Sequence, residues 1–122
     1  MAKLGNGVDD EAPFARDLEL EVQQQGEAAT LRMRGELDAF TAPELADLCG
    51  SVYARGGREI VIDLTDTTFL DSSGLRALIG ARQLFGSDGG TVRLEHPNEA
   101  VVRLLAITGL SDYFSMGEPP PS

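Results

Sequence analysis

Residues 59–78 read EIVIDLTDTTFLDSSGLRAL. EIVIDL, residues 59–64, is a short apolar run of the kind found in strands buried on both faces. TDTTFLDSS then reads as a loop. From there Leu75, Leu78, Ile79, Arg82 and Phe85 recur at helical spacing, and the pattern runs out at GSDGG. A buried strand followed at once by an amphipathic helix is half of a parallel βαβ unit, so this stretch places the chain in the α/β class.

The flanking residues extend the same pattern. Downstream, TVRLE (residues 91–95) alternates as a strand, and His96-Pro97-Asn98 turns the chain. Asn98 is placed to cap a third helix carrying Val101, Leu104, Leu105 and Thr108 on one side, with Gly109 closing it. SDYFS, residues 111–115, reads as a short final strand. Upstream, TAPELADLCGSVYARGG shows a helix: Thr41 and Glu44 have capping-box spacing and Pro43 lies in the first turn. Leu45, Leu48, Cys49 and Val52 form its apolar face, and Gly56-Gly57 ends it. Before it, LELEVQ (18–23) and ATLRMRGEL (29–37) alternate around Gly26 as a hairpin. The order β-β-α-β-α-β-α, with a last short β, predicts a mixed sheet of four to five strands with helices packed against it. The domain is expected over residues 16–115, after a flexible leader (1–15) and before a loose Pro-rich tail (116–122).

Composition narrows the function. The chain carries 20 acids against 10 bases, a net charge of −10. Such a field repels nucleic-acid phosphates and anionic lipid, and suits a basic protein partner, although acids also simply keep a small protein in solution. One cysteine, Cys49, excludes an internal disulfide, and its place on an apolar helix face makes it an inert core thiol. No run approaches the ~18 apolar residues of a membrane span, and the first residues lack an apolar signal core. A soluble cytoplasmic protein is expected, with no direct contact to nucleic acid or membrane.

Catalysis is poorly supplied. His96 is the only histidine. No GxSxG elbow, P-loop or GxGxxG is present. One His and one Cys do not make a zinc site. Asp63, Asp66 and Asp71 lack the glycine and terminal Glu of a calcium loop. No enzyme activity, cofactor or metal is expected.

The polar threshold Asp71-Ser72-Ser73-Gly74 admits two readings. One is a helix N-cap, since Asp and Ser oxygens accept otherwise unpaired backbone N–H groups. That does not account for three polar residues in a row followed by a glycine, which costs ~1 kcal/mol inside a helix relative to Ala and suggests a close approach to the backbone. The other is a functional serine, whose phosphate would meet free N–H groups and the positive end of the helix dipole.

GELDAFTAPEL (35–45), REIVIDLTDTTFLDSSGLRAL (58–78) and NEAVVRLLAITGL (98–110), in this order and spacing, resemble the STAS domain of bacterial anti-sigma factor antagonists. The resemblance covers residues 16–115. It implies a non-enzymatic protein that binds an anti-sigma factor with serine kinase activity and thereby frees a sigma factor. It implies that Ser72, directly after Asp71, accepts a phosphate that releases the partner, and that a PP2C-type phosphatase resets it. ATP and magnesium belong to the kinase. Asp38, Asp71, Ser73, Gly74 and Leu75 are the implied partner-facing residues, with Ser73 as a helix cap rather than a second acceptor. STAS domains also serve as non-switching scaffolds, in stressosomes or as lipid-transport accessories, and such a role would not need Ser72.

Overall fold

In the computed structural model, residues 18–116 are described. They form β1 (Leu18–Gln25), β2 (Ala28–Leu37), α1 (Ala42–Ala54), β3 (Glu59–Leu70), α2 (Ser72–Gly86), β4 (Thr91–Glu95), α3 (Glu99–Ile107) and β5 (Ser115–Met116). The strands lie in one five-stranded sheet in chain order. β1 pairs antiparallel with β2 through a tight turn at Gly26, which sits at φ +63, a conformation a side chain would strain. Every later pairing is parallel. Parallel neighbours require crossovers, which the three helices supply, and right-handed crossovers running in one direction put all three on one face.

Strand alternation confirms that placement. Leu31 and Met33 of β2, Ile60, Ile62 and Leu64 of β3, and Val92 and Leu94 of β4 point to the covered face. They are buried in a single core with Leu45, Cys49 and Val52 of α1, Leu78 and Phe85 of α2, and Val101 and Leu105 of α3. Each such Leu or Ile contributes roughly 1.5–3 kcal/mol through burial. Burial also pushes the Cys49 thiol up to about 11, so the inert core role expected of it holds.

Three expectations change. β3 is not buried on both faces. Val61 and Asp63 lie half-buried on the open face, where Arg32 bridges Glu21 (4.0 Å) and Asp63 (3.6 Å), and Arg34 bridges Glu19 (4.0 Å) and Asp66 (3.7 Å). Nor is TDTTFL a loop. β3 continues to Leu70, pairing with the end of β2 through two register shifts, Arg32/Arg34 and Gly35/Glu36. Those bulges break the alternation that would mark a strand in sequence, while Thr65, Thr67, Thr68 and Phe69 keep high β propensity. The short final strand expected in SDYFS starts only at its last residue and runs Ser115–Met116, so Met116, expected in the tail, pairs with Leu94. The expected leader and residues 117–122 of the tail lie outside the described residues.

Two outcomes are expected. Burial raises the Asp63 carboxyl, but hydrogen bonds from the Thr65 hydroxyl (2.6 Å) and N–H (3.0 Å), with the charges of His96 and Arg32, outweigh it and hold it below its ordinary value. A lowered folded value means that Asp63 stabilises above its unfolded pKa of ~3.9 and loses that contribution as pH falls through the folded value. Asp63→Asn should therefore unfold at lower urea than the parent at neutral pH, with the gap closing as the pH falls through the lowered folded value; a gap independent of pH contradicts this. Separately, Cys49 should resist alkylation at pH 8 in the folded protein and react at the rate of a free thiol in denaturant, as read by mass spectrometry.

Candidate functional site

The C-terminal ends of β2 and β3 and the start of α2 meet at one rim of the sheet. Leu37, the last residue of β2, pairs with Leu70, the last of β3. Its carbonyl accepts the Asp71 N–H at 3.3 Å. Asp71 then turns the chain into α2 with extended backbone (φ −108, ψ −170), and its Oδ1 accepts the Gly74 N–H at 3.0 Å. Asp71 is therefore the N-cap, and Ser73, expected to cap, is the second residue of the helix instead. Its half-buried side chain lines a groove between α1 and α2.

Gly74 has a reason internal to the fold. A Cβ there would stand 2.6 Å from the Leu37 carbonyl oxygen and 2.8 Å from Leu37 Cγ. The close approach expected from its sequence position is made by the chain's own β2, with Gly74 buried. Leu75 is 5% exposed and belongs to the core. Asp38 is 7% exposed; its Oδ1 accepts the Phe40 N–H (3.0 Å) and the Thr41 N–H (3.2 Å). The expected capping box at Thr41 does not form. Its hydroxyl faces back, donating to the Glu36 carbonyl at 2.7 Å and accepting the Asp38 N–H at 2.9 Å. Asp38, Gly74 and Leu75 thus hold the rim from beneath instead of facing outward. Asn98 caps α3 as expected, accepting the Val101 N–H at 2.9 Å, and also donates to the Thr67 carbonyl at 3.0 Å, which ties α3 to the end of β3.

What remains at the surface is Ser72, the first residue of α2, with an exposed side chain, and half-buried Asp71. Two aromatic side chains that no sequence pattern singled out are also open here: Phe40 is 81% exposed in the β2–α1 loop and Phe69 is 48% exposed three residues before Ser72. Apolar side chains left in water beside a polar residue mark a surface suited to a protein partner. The α1–α2 groove, about 490 Å³, opens at this rim between Ala39, Pro43, Ser73 and Arg76. Arg76 was also missed in the sequence; its signal is its position, four residues after Ser72 on one helix. Among the described residues there is no cluster of three metal-ligating side chains and no helix long and apolar enough to cross a membrane.

The family model for the STAS domain matches residues 19–119. The chain belongs to the STAS domain family. It is 31% identical over 96 residues to the anti-sigma-B factor antagonist of Bacillus subtilis strain 168, covering 79% of this chain and 87% of that protein. It superposes on an anti-sigma factor antagonist from Mycobacterium paratuberculosis with a TM-score of 0.74 at 28% identity, over 85% of this chain and 88% of that one. The antagonist SpoIIAA shares the fold in its unphosphorylated form (TM-score 0.71, 20% identity, 82% of this chain and 89% of that one) and its phosphorylated form (TM-score 0.67, 18% identity, 82% and 92%).

Replacing Asp71 separates cap from charge. Asp71→Ala should cost about 1 kcal/mol in urea unfolding, and Asp71→Asn, which keeps the accepting oxygen, much less. Gly74→Ala should cost more than the Asp71→Ala change, roughly 1–3 kcal/mol, because its methyl meets backbone that cannot give way. Equal losses for Asp71→Asn and Asp71→Ala would show that the oxygen is not the capping group.

Proposed function

We propose that this protein is an anti-sigma factor antagonist controlled by phosphorylation of Ser72. The unmodified form binds an anti-sigma factor with serine kinase activity, which then lets its sigma factor go. The phosphorylated form is released, and a PP2C-type phosphatase restores it. The observation that carries the reading is the state of Ser72. It alone of the Ser72-Ser73-Gly74-Leu75 run stands exposed, while its neighbours are committed to the cap, the groove and the core. The similarity to antagonists from two organisms supports it, as does the occurrence of the SpoIIAA fold in phosphorylated and unphosphorylated forms.

The switch follows from charge and desolvation. A hydroxyl docks at little cost. A phosphate brings about −1.5 to −2 charges at pH 7 to a rim that already holds Asp71. Burying it without a partner cation can cost several kcal/mol, and each 1.4 kcal/mol is tenfold in affinity. Ser72, Asp71, Ser73 and the two open phenylalanines form the contact surface on this reading, set in place by Asp38, Gly74 and Leu75. The kinase supplies ATP and magnesium.

Capture from lysate of the source organism tests this. Ser72→Ala should retain a small serine kinase that Ser72→Glu loses by at least tenfold, and phosphopeptide fragmentation should place the natural phosphate on Ser72 rather than on Thr65, Thr67 or Thr68. Capture of the same assembly by both variants overturns the switch in favour of a scaffold.

A further inference from the structure

Arg76 is the cation nearest to Ser72 in the chain. Its side chain is exposed and makes no ion pair or hydrogen bond among the described residues. Arg32, Arg34, Arg58, Arg82 and Arg93 are all held, by carboxylates or, for Arg82, by the Tyr113 carbonyl and ring, whereas Arg55 and Arg103, whose side chains are also unpaired among the described residues, lie at the end of α1 and in α3. Arg76 stands four residues after Ser72 on α2, and both side chains are exposed. Positions i and i+4 of a helix have Cβ atoms about 5–6 Å apart. Long helical side chains lean toward the helix N-terminus, so Arg76 reaches back over the turn that begins at Ser72. An anion N-terminal to a cation at this spacing is also the favourable order.

We propose that Arg76 is the internal receptor for the phosphate on Ser72. The guanidinium fork matches phosphate oxygens bidentately, and closing the pair needs only a rotamer change within one helical turn. It offsets a local field that otherwise opposes the modification, since Asp71 is adjacent and Glu36 and Asp38 lie at the neighbouring end of β2. It also turns Arg76 away from the α1–α2 groove it lines. One phosphate thereby alters the rim and the mouth of the groove together, with the fold unchanged. The inference rests on the reading of Ser72 as the acceptor.

The test uses the full chain with phosphoserine installed at position 72 during translation, alone and with Arg76→Gln or Arg76→Lys, followed by ³¹P NMR titration. The second phosphate ionisation should fall lower in the parent than in Arg76→Gln by about half a unit, with Arg76→Lys between them. The helix N-terminus and Asp71 are common to all three proteins, so the difference isolates Arg76. Because Arg76 has no partner among the described residues, the variants should melt with the unmodified parent. Coincident titration curves overturn the pairing. The phosphate is installed without a kinase, so this result is independent of the acceptor reading, which mass spectrometry of Ser72 in the source cells decides separately: an unmodified Ser72 under all conditions overturns that reading even where the ³¹P shift is present.

Discussion

The contact between Leu37 and the first turn of α2 is the constraint on which the surface depends. The Leu37 carbonyl accepts the Asp71 N–H, and Gly74 lies so close to it that even a methyl group has no room. This fixes where β3 ends, where α2 begins and which way its first residue faces. Ser72 is presented because Asp71 is turned inward to cap and Gly74 is pressed against β2. The loop from Asp38 to Thr41 repeats the logic on the other side: a buried carboxylate gathers two backbone N–H groups, and the Thr41 hydroxyl closes the turn on Glu36. Both loops sacrifice polar side chains to their own backbone so that neighbouring positions can remain open.

The order of elements was legible because the strands and helices follow clean periods. Asn98 and Gly109 did what their types predict, and Cys49 went to the core. The misreadings share a cause. The continuation of β3 through Thr65–Leu70 was hidden by two bulges, which shift side-chain parity without leaving a mark in composition. The open face of β3 was hidden because Val61 and Ile62 look alike in sequence, and only the placement of helices decides which of them meets water. Thr41 and Glu44 had the spacing of a capping box, but the hydroxyl oxygen accepts the Asp38 N–H instead while its proton goes to the Glu36 carbonyl.

The site was legible in part, and the division is physical. A motif names residues that must be of a given type; it does not say whether the requirement comes from the fold or from a partner. Asp38, Gly74 and Leu75 looked like interface residues because they belong to the motif, yet each is accounted for by hydrogen bonding or packing within the chain. Phe40 and Phe69 had the opposite fate. The sequence singled out neither, and only the coordinates show these two side chains left outside.

A phospho-switch on a protein already this acidic faces a particular difficulty. With 20 acids against 10 bases, each added charge is opposed by the existing field, so a phosphate must repel the partner without also unfolding the helix that carries it. The start of α2 meets the second requirement, since the helix dipole and Arg76, unpaired among the described residues and one turn away, both favour an anion there. On the proposed reading, neither can satisfy the phosphate fully once an interface closes over it and removes water, because Asp71 sits beside it at the same rim. On that reading the same position is tolerant of charge when free and intolerant when docked. That difference between two states of one surface is what a switch requires, and it arises from where Leu37 holds the end of the helix.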